Sequence, residues 1–172
     1  MKTLILFILF VFSFSIGMFA VSSRILKEDT VSQSSFEQLL SLYYNIKDAL
    51  VNSDASSAAS KAGEFVNAVK KIDSEKLSES EQKAFSSLHD KLTSNAENIS
   101  QNKDLAKQRI YFASLSDNIY SLAKEVKLST EPIYYDYCPM KKKYWLSSES
   151  AIKNPYFGKA MPTCGEVKET LK

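Results

Sequence analysis

From Phe36 onward, apolar residues recur at three- and four-residue steps. Phe36, Leu39, Leu40, Tyr43, Ile46 and Leu50 gather on one face of a helix that turns every 3.6 residues. Ser34 and Glu37 stand at capping-box spacing ahead of this stripe, which predicts a helix from near Ser34 to near Asn52. Asp54 is placed to cap a second helix, whose stripe is Ala55, Ala58, Ala59, Ala62, Phe65, Val66, Val69 and Ile72. Its first half carries small side chains, so a neighbour can approach closely there. Ser78 and Glu81 repeat the capping-box spacing before Phe85, Leu88, Leu92, Ala96 and Ile99. A fourth stripe follows Asp104: Leu105, Phe112, Leu115, Ile119, Leu122 and Val126, with Gln108 in one apolar slot and Pro132 past its end. Short polar linkers between amphipathic helices favour antiparallel neighbours. The expected fold is therefore all-α, an up-down four-helix bundle over residues 34–128.

Upstream, Lys2 precedes an apolar run from Leu4 to Ala20, followed by Ala20-Val21-Ser22, a small-x-small cleavage site. Residues 1–22 read as a signal peptide, and 23–33, which lack a periodic stripe, as a flexible leader. The implied location is periplasmic, with membrane attachment only if the apolar run stays uncleaved. The only cysteines are Cys138 and Cys164, so a lipoprotein anchor at the cleavage point is excluded. Export also permits a disulfide that a cytosol would reduce.

Beyond Glu131 the helical rhythm stops. All four prolines, five of nine tyrosines, the one tryptophan and both cysteines fall in the last 42 residues. That much aromatic surface predicts not a tail but an ordered, irregular wrap over 129–172, packed back on the bundle. Within it, short helical turns are expected at Ser147–Ala151 and Val167–Leu171.

Composition narrows the function classes. With 22 Lys+Arg against 20 Asp+Glu, the chain is too evenly charged to be held to nucleic acid by phosphate neutralisation. One histidine, no phosphate loop and no nucleophile–base set argue against an enzyme. His89, beside Leu88 of the third stripe, reads as a packing or surface residue.

Candidate chemistry is confined to Tyr137-Cys138-Pro139-Met140 and Met161-Pro162-Thr163-Cys164-Gly165. Each puts a thiol two or three residues from a thioether, and thiolate with thioether selects Cu(I) or Ag(I) over hard ions. Zinc is less favoured without histidine at ligand spacing. Lys141, Lys142 and Lys143 favour the thiolate of Cys138. A second interpretation fits the same residues: a structural Cys138–Cys164 disulfide, stabilising by about 3 kcal/mol, with the methionines filling core space. In that case the protein is a non-catalytic structural or adaptor bundle.

Cys138-Pro139-Met140, Tyr144-Trp145-Leu146-Ser147, Ile152-Lys153-Asn154-Pro155-Tyr156-Phe157-Gly158 and Met161-Pro162-Thr163-Cys164-Gly165 resemble the C-terminal signature of a bacterial periplasmic helical domain family of unknown function. The resemblance extends upstream through Gln108-Arg109 and Phe112-Ala113-Ser114-Leu115-Ser116. In that family the domain occurs alone after a signal peptide, or attached to membrane-fusion subunits of copper and silver efflux pumps. It implies a role in heavy-metal handling, metal-efflux components as partners, Cu(I) or Ag(I) as the ion, and Cys138, Met140, Met161 and Cys164 as its ligands. Many relatives carry histidine where this chain has Asn98 and Tyr111. Those replacements imply a sulfur-only site, or a degenerate one kept as structure.

Overall fold

The computed structural model describes residues 22–172, with side chains from Gln33 onward. The signal-peptide reading lies outside the described residues, apart from Ser22. Four helices come first: α1 (Ser22–Val51), α2 (Ala55–Lys71), α3 (Glu79–Gln101) and α4 (Leu105–Glu125). Three strands follow: β1 (Ile133–Cys138), β2 (Lys143–Ser147) and β3 (Glu166–Leu171). Single 3-10 turns occupy Ser74–Lys76 and Gly158–Ala160. Among the described residues, no helix is long and apolar enough to cross a membrane.

The caps expected for α2, α3 and α4 are present. Asp54 accepts the Ser57 amide at 2.9 Å and Asp104 that of Ala106 at 2.7 Å. Ser78 and Glu81 form a reciprocal box, with the Ser78 amide 2.9 Å from Glu81 Oε2. Each cap satisfies an amide that the helix start leaves without an internal partner. Helix α1 departs from expectation. Its backbone is helical from Ser22 and not from near Ser34, so the helix start expected at the Ser34 capping spacing is corrected. Ser34 and Glu37 share capping-box spacing yet sit inside a helix, where Glu37 Oε1 accepts from Gln33 Nε2 at 3.0 Å. That spacing marks a helix start only if the residues before it leave the helix.

Each helix packs on the next in sequence, and the four stripes meet in one core from Phe36 through Leu122. The out-of-place polar residue in the fourth stripe has a structural task. Gln108 is fully buried, and its Nε2 donates to the carbonyls of Ala55 at 2.9 Å and Asn102 at 2.8 Å. It thereby ties the start of α2 and the end of α3 to α4, satisfying carbonyls that would otherwise be lost to burial.

The all-α expectation is wrong for the C-terminal quarter. Residues 133–171 form an antiparallel sheet in the order β2-β1-β3. The helical turn expected at Val167–Leu171 is strand β3, while Ser147 closes β2 and the residues after it bend without helix. Aromatic and β-branched side chains suit a pleated surface better than a helix. Tyr134, Tyr135 and Tyr137 therefore pair across to Ser147, Leu146 and Tyr144.

The sheet packs on α4 through β2 and reaches α1, which touches α4 little, through a tyrosine side chain. Tyr43 of α1 is the pin. Ser116 Oγ gives its hydrogen to Phe112 O at 2.8 Å, so the Tyr43 hydroxyl donates to Ser116 Oγ at 2.7 Å. The same phenol oxygen accepts the Leu146 amide of β2 at 3.0 Å. Burial drives the Tyr43 phenol well above its ordinary pKa, so it remains a neutral donor and acceptor.

A second clamp holds the long loop after β2. Arg109 of α4 donates to Pro155 O at 2.9 Å, Leu50 O at 3.3 Å and Ser53 Oγ at 3.2 Å, joining helix, turn and loop. Gly158 lies under this clamp with φ +56°, and a Cβ there would come within 2.8 Å of Leu50 O and strike the Ser53 hydroxyl and the guanidinium. Gly158→Ala is accordingly expected to destabilise the protein by about 1–3 kcal/mol through strain and lost clamp geometry. A urea midpoint equal to that of the parent would refute it.

Candidate soft-metal site

One face of the sheet carries Tyr135, Tyr137 and Tyr144. Their rings stack in a row with Tyr120 of α4, at centroid spacings of 3.9 Å for Tyr120–Tyr135, 4.7 Å for Tyr135–Tyr144 and 4.5 Å for Tyr144–Tyr137. Opposite residues of an antiparallel pair share a face. The pairs Asp136–Trp145 and Cys138–Lys143 thus belong to the other face. There Trp145 is fully buried and meets Tyr156 edge-on, with ring centroids 5.9 Å apart.

That loop also brings the second cysteine into place. Buried Asn154 accepts the Tyr156 and Phe157 amides at 2.8 and 3.2 Å, donates its side-chain amide to Cys164 O, and gives its backbone N–H to Pro162 O at 2.7 Å. Gly165 then permits close approach to the indole. It has φ +155°, and a Cβ on it would lie 2.8 Å from Trp145 Cη2 and 2.9 Å from Tyr137 O. Through these contacts Cys164 reaches the end of β1, where its thiol lies close enough to that of Cys138 for the two to interact. Both are free thiols; Cys138 is buried and Cys164 half-buried. Burial first, and then the neighbouring sulfur, push the Cys164 thiol up from its ordinary value.

Met140 and Met161 occupy the two turns beside this pair. The Lys142 amide donates to Cys138 O at 2.8 Å across the turn bearing Met140, and the Cys164 amide to Met161 O at 3.5 Å across the other. Core filling is excluded as their role, since Met140 is 62% exposed and Met161 37%. A buried thiol and a half-buried one thus lie next to turns that each expose a thioether, all four sulfurs being soft donors. The neighbourhood suits harder ions poorly: among the described residues no three of His, Cys, Asp and Glu are grouped to hold a metal.

The remaining sequence candidates lie elsewhere. His89 Nδ1 sits 2.9 Å from Asp90 Oδ1 and its ring meets Phe85 edge-on, as a packing residue does. Asn98 donates its side-chain amide to Ser94 O at 2.8 Å along its own helix, and Tyr111 packs half-buried against the core. Sequence reasoning missed Asn154, Arg109 and Gly165 as the residues that place Cys164. An Asn-Pro pair and an Arg in a helix otherwise striped with apolar residues were the available signals.

This geometry defines a helical domain completed by a small sheet, with a dithiol where sheet and loop meet. Residues 39–131, more than half of the chain, match the model of a family described as proteins of unknown function, DUF3347, and the chain belongs to that family. The match ends before β1, so all four sulfur residues lie beyond it. No curated protein and no solved structure shows a significant match to the chain.

Proposed function

We propose that this protein is an exported, periplasmic helical module that binds one soft monovalent ion, Cu(I) or Ag(I), in heavy-metal handling alongside metal-efflux components. It acts as a carrier rather than a catalyst. The observation that carries this reading is the contact between two free thiols, Cys138 and Cys164, whose adjoining turns each expose a thioether, Met140 and Met161. Thiolate sulfur is the donor these ions prefer, and a few-coordinate sulfur site is enough for them, whereas zinc asks for four ligands.

Reduced protein is expected to take up one Ag(I) or Cu(I) per chain in a competition titration with a chromogenic chelator. Cys138→Ser or Cys164→Ser should abolish uptake, with helix content by circular dichroism nearly unchanged. Met140→Leu with Met161→Leu should weaken affinity and leave stability alone, because both side chains are exposed and volume is conserved. No ion bound to reduced protein, together with a Cys138–Cys164 disulfide in material isolated from cells, would leave the cysteines as a staple.

Proton release gives an independent check. Cys164 is held protonated by its raised pKa, and a thiol must lose its proton to ligate a metal. Affinity for Ag(I) is therefore expected to rise with pH through the neutral range, with protons released into a weakly buffered solution on binding. Affinity independent of pH from 6 to about 8.5, the ordinary range of thiol titration, would rule out thiolate ligation.

A further inference from the structure

The sulfur end of the molecule is charged differently from the rest. Residues 138–165 hold five lysines, Lys141, Lys142, Lys143, Lys153 and Lys159, and a single acid, Glu149. That segment is thus at +4 while the chain as a whole is at +2, which leaves −2 on everything else. Glu149 is already engaged, 2.6 Å from Lys153. Lys143 lies within the electrostatic reach of Asp117 on α4. Lys141, Lys142 and Lys159 are all exposed and pair with no carboxylate among the described residues.

The fold brings the two thioether-bearing, lysine-rich turns together. Lys141 Nζ sits 5.0 Å above the Phe157 ring, which sets the β1–β2 turn, bearing Met140 and Lys142, against the 157–161 stretch that carries Lys159 and Met161. The two turns that expose Met140 and Met161 are thus joined through Lys141 and Phe157, and they carry the exposed, carboxylate-free Lys141, Lys142 and Lys159 close in sequence to both thioethers and to Cys138. Uncompensated charge of one sign, concentrated at a ligand site, raises encounter rates with oppositely charged partners and disfavours others.

We propose that this end of the molecule docks an acidic partner protein that itself carries the soft ion on thiolate or thioether groups, and that the ion passes between them by ligand exchange. This rests on the metal-binding reading above. In the exchange a metal–sulfur bond to Cys138 or Cys164 forms as one to the partner breaks, and the ion keeps its +1 charge. A departing thiolate takes up the proton that the accepting thiol loses, and where the partner's donor is a thioether that proton passes to solvent. Exposed Met140 and Met161 suit first contact, because a thioether needs no deprotonation to ligate. An anionic membrane would also attract lysines flanking Met140, but adsorption there would cover that thioether, so a protein partner fits the arrangement better.

The test compares two Cu(I)-loaded peptides sharing one Cys-x-x-Cys core, flanked by glutamates in one and lysines in the other, as donors to reduced protein under anaerobic stopped flow. The glutamate peptide is expected to transfer at least about ten-fold faster at low salt, with the advantage shrinking as ionic strength rises. Lys141→Gln, Lys142→Gln and Lys159→Gln together should erase that advantage while leaving final occupancy unchanged. These lysines are exposed and outside the core, so the variant folds, and its unchanged occupancy proves it. Equal rates from both donors, with full occupancy reached, would overturn the docking proposal alone. No transfer from either donor, with no Ag(I) taken up directly, would overturn the metal-binding reading. Lysine-dependent co-sedimentation with phosphatidylglycerol vesicles, alongside equal donor rates, would replace the protein partner by a membrane.

Discussion

Trp145→Ala is expected to lower the stability of the whole protein by about 3–5 kcal/mol, the usual cost of truncating a fully buried large aromatic. Trp145 is the largest wholly buried side chain. It meets Tyr156 edge-on and fills the space over Gly165 beside Ile152. Few neighbours can close the resulting hole, because the backbone on each side is pinned: β2 by the Leu146–Tyr43 bond and the loop by Arg109 and Asn154. Far-UV circular dichroism during urea unfolding is the measurement, since the helices supply its signal and the lost tryptophan does not affect it. A midpoint shifted for the helical signal would show that sheet and bundle unfold as one unit. An unshifted midpoint would mean that the sheet is a separable appendage, contrary to the clamps at Tyr43 and Arg109.

The helices were legible because each rule that specifies them acts locally. Asp54, Ser78 with Glu81, and Asp104 cap where they stand in the sequence, and the stripes behind them have one buried face each. The sheet hides its period. Trp145, Leu146 and Ser147 are buried in succession because β2 is covered on both sides, so polar and apolar positions do not alternate. In β1, Asp136 points inward where an apolar residue is the rule, beside a register shift at Tyr135/Asp136. Strand β3 is mostly exposed and charged, with little to distinguish it from a surface helix. A usable signal was present in the aromatic run Ile133–Cys138, the Pro139–Lys142 turn and Tyr144–Leu146, which together read as a hairpin. The sulfur site was half legible. Spacing indicates which residues are soft donors, but the contact between Cys138 and Cys164 depends on Asn154 and Gly165, whose effect is tertiary.

Asp136 is the group most at odds with its surroundings, and its removal should lessen the loss of stability as pH rises from 4 to 7. Its side chain is fully buried, neither oxygen has a protein hydrogen-bond partner, and the Trp145 indole N–H opposite has none either. Burial pushes the carboxyl up from 3.8 to about 7, against a smaller downward pull from Lys47, whose ammonium is bound to Asp48 at 3.0 Å. Between about pH 4 and 7 the folded protein thus holds a proton at Asp136 that the unfolded chain has released. Stability contributed at this site is present below pH 4 and is lost as pH rises to 7, up to about 4 kcal/mol for a shift of this size. The exposed acids with depressed values, Glu149 and Glu169, act in the opposite sense but are paired at the surface, where such pairs contribute little. Asp136→Asn keeps the shape and removes the ionisation. Subtracting the unfolding free energy of the parent from that of the variant, measured by urea titration from pH 4.5 to 8, should give a difference that grows with pH and favours the variant above 7. A difference constant across that range would show that Asp136 is ionised in the folded protein throughout, held by a charge partner stronger than Lys47.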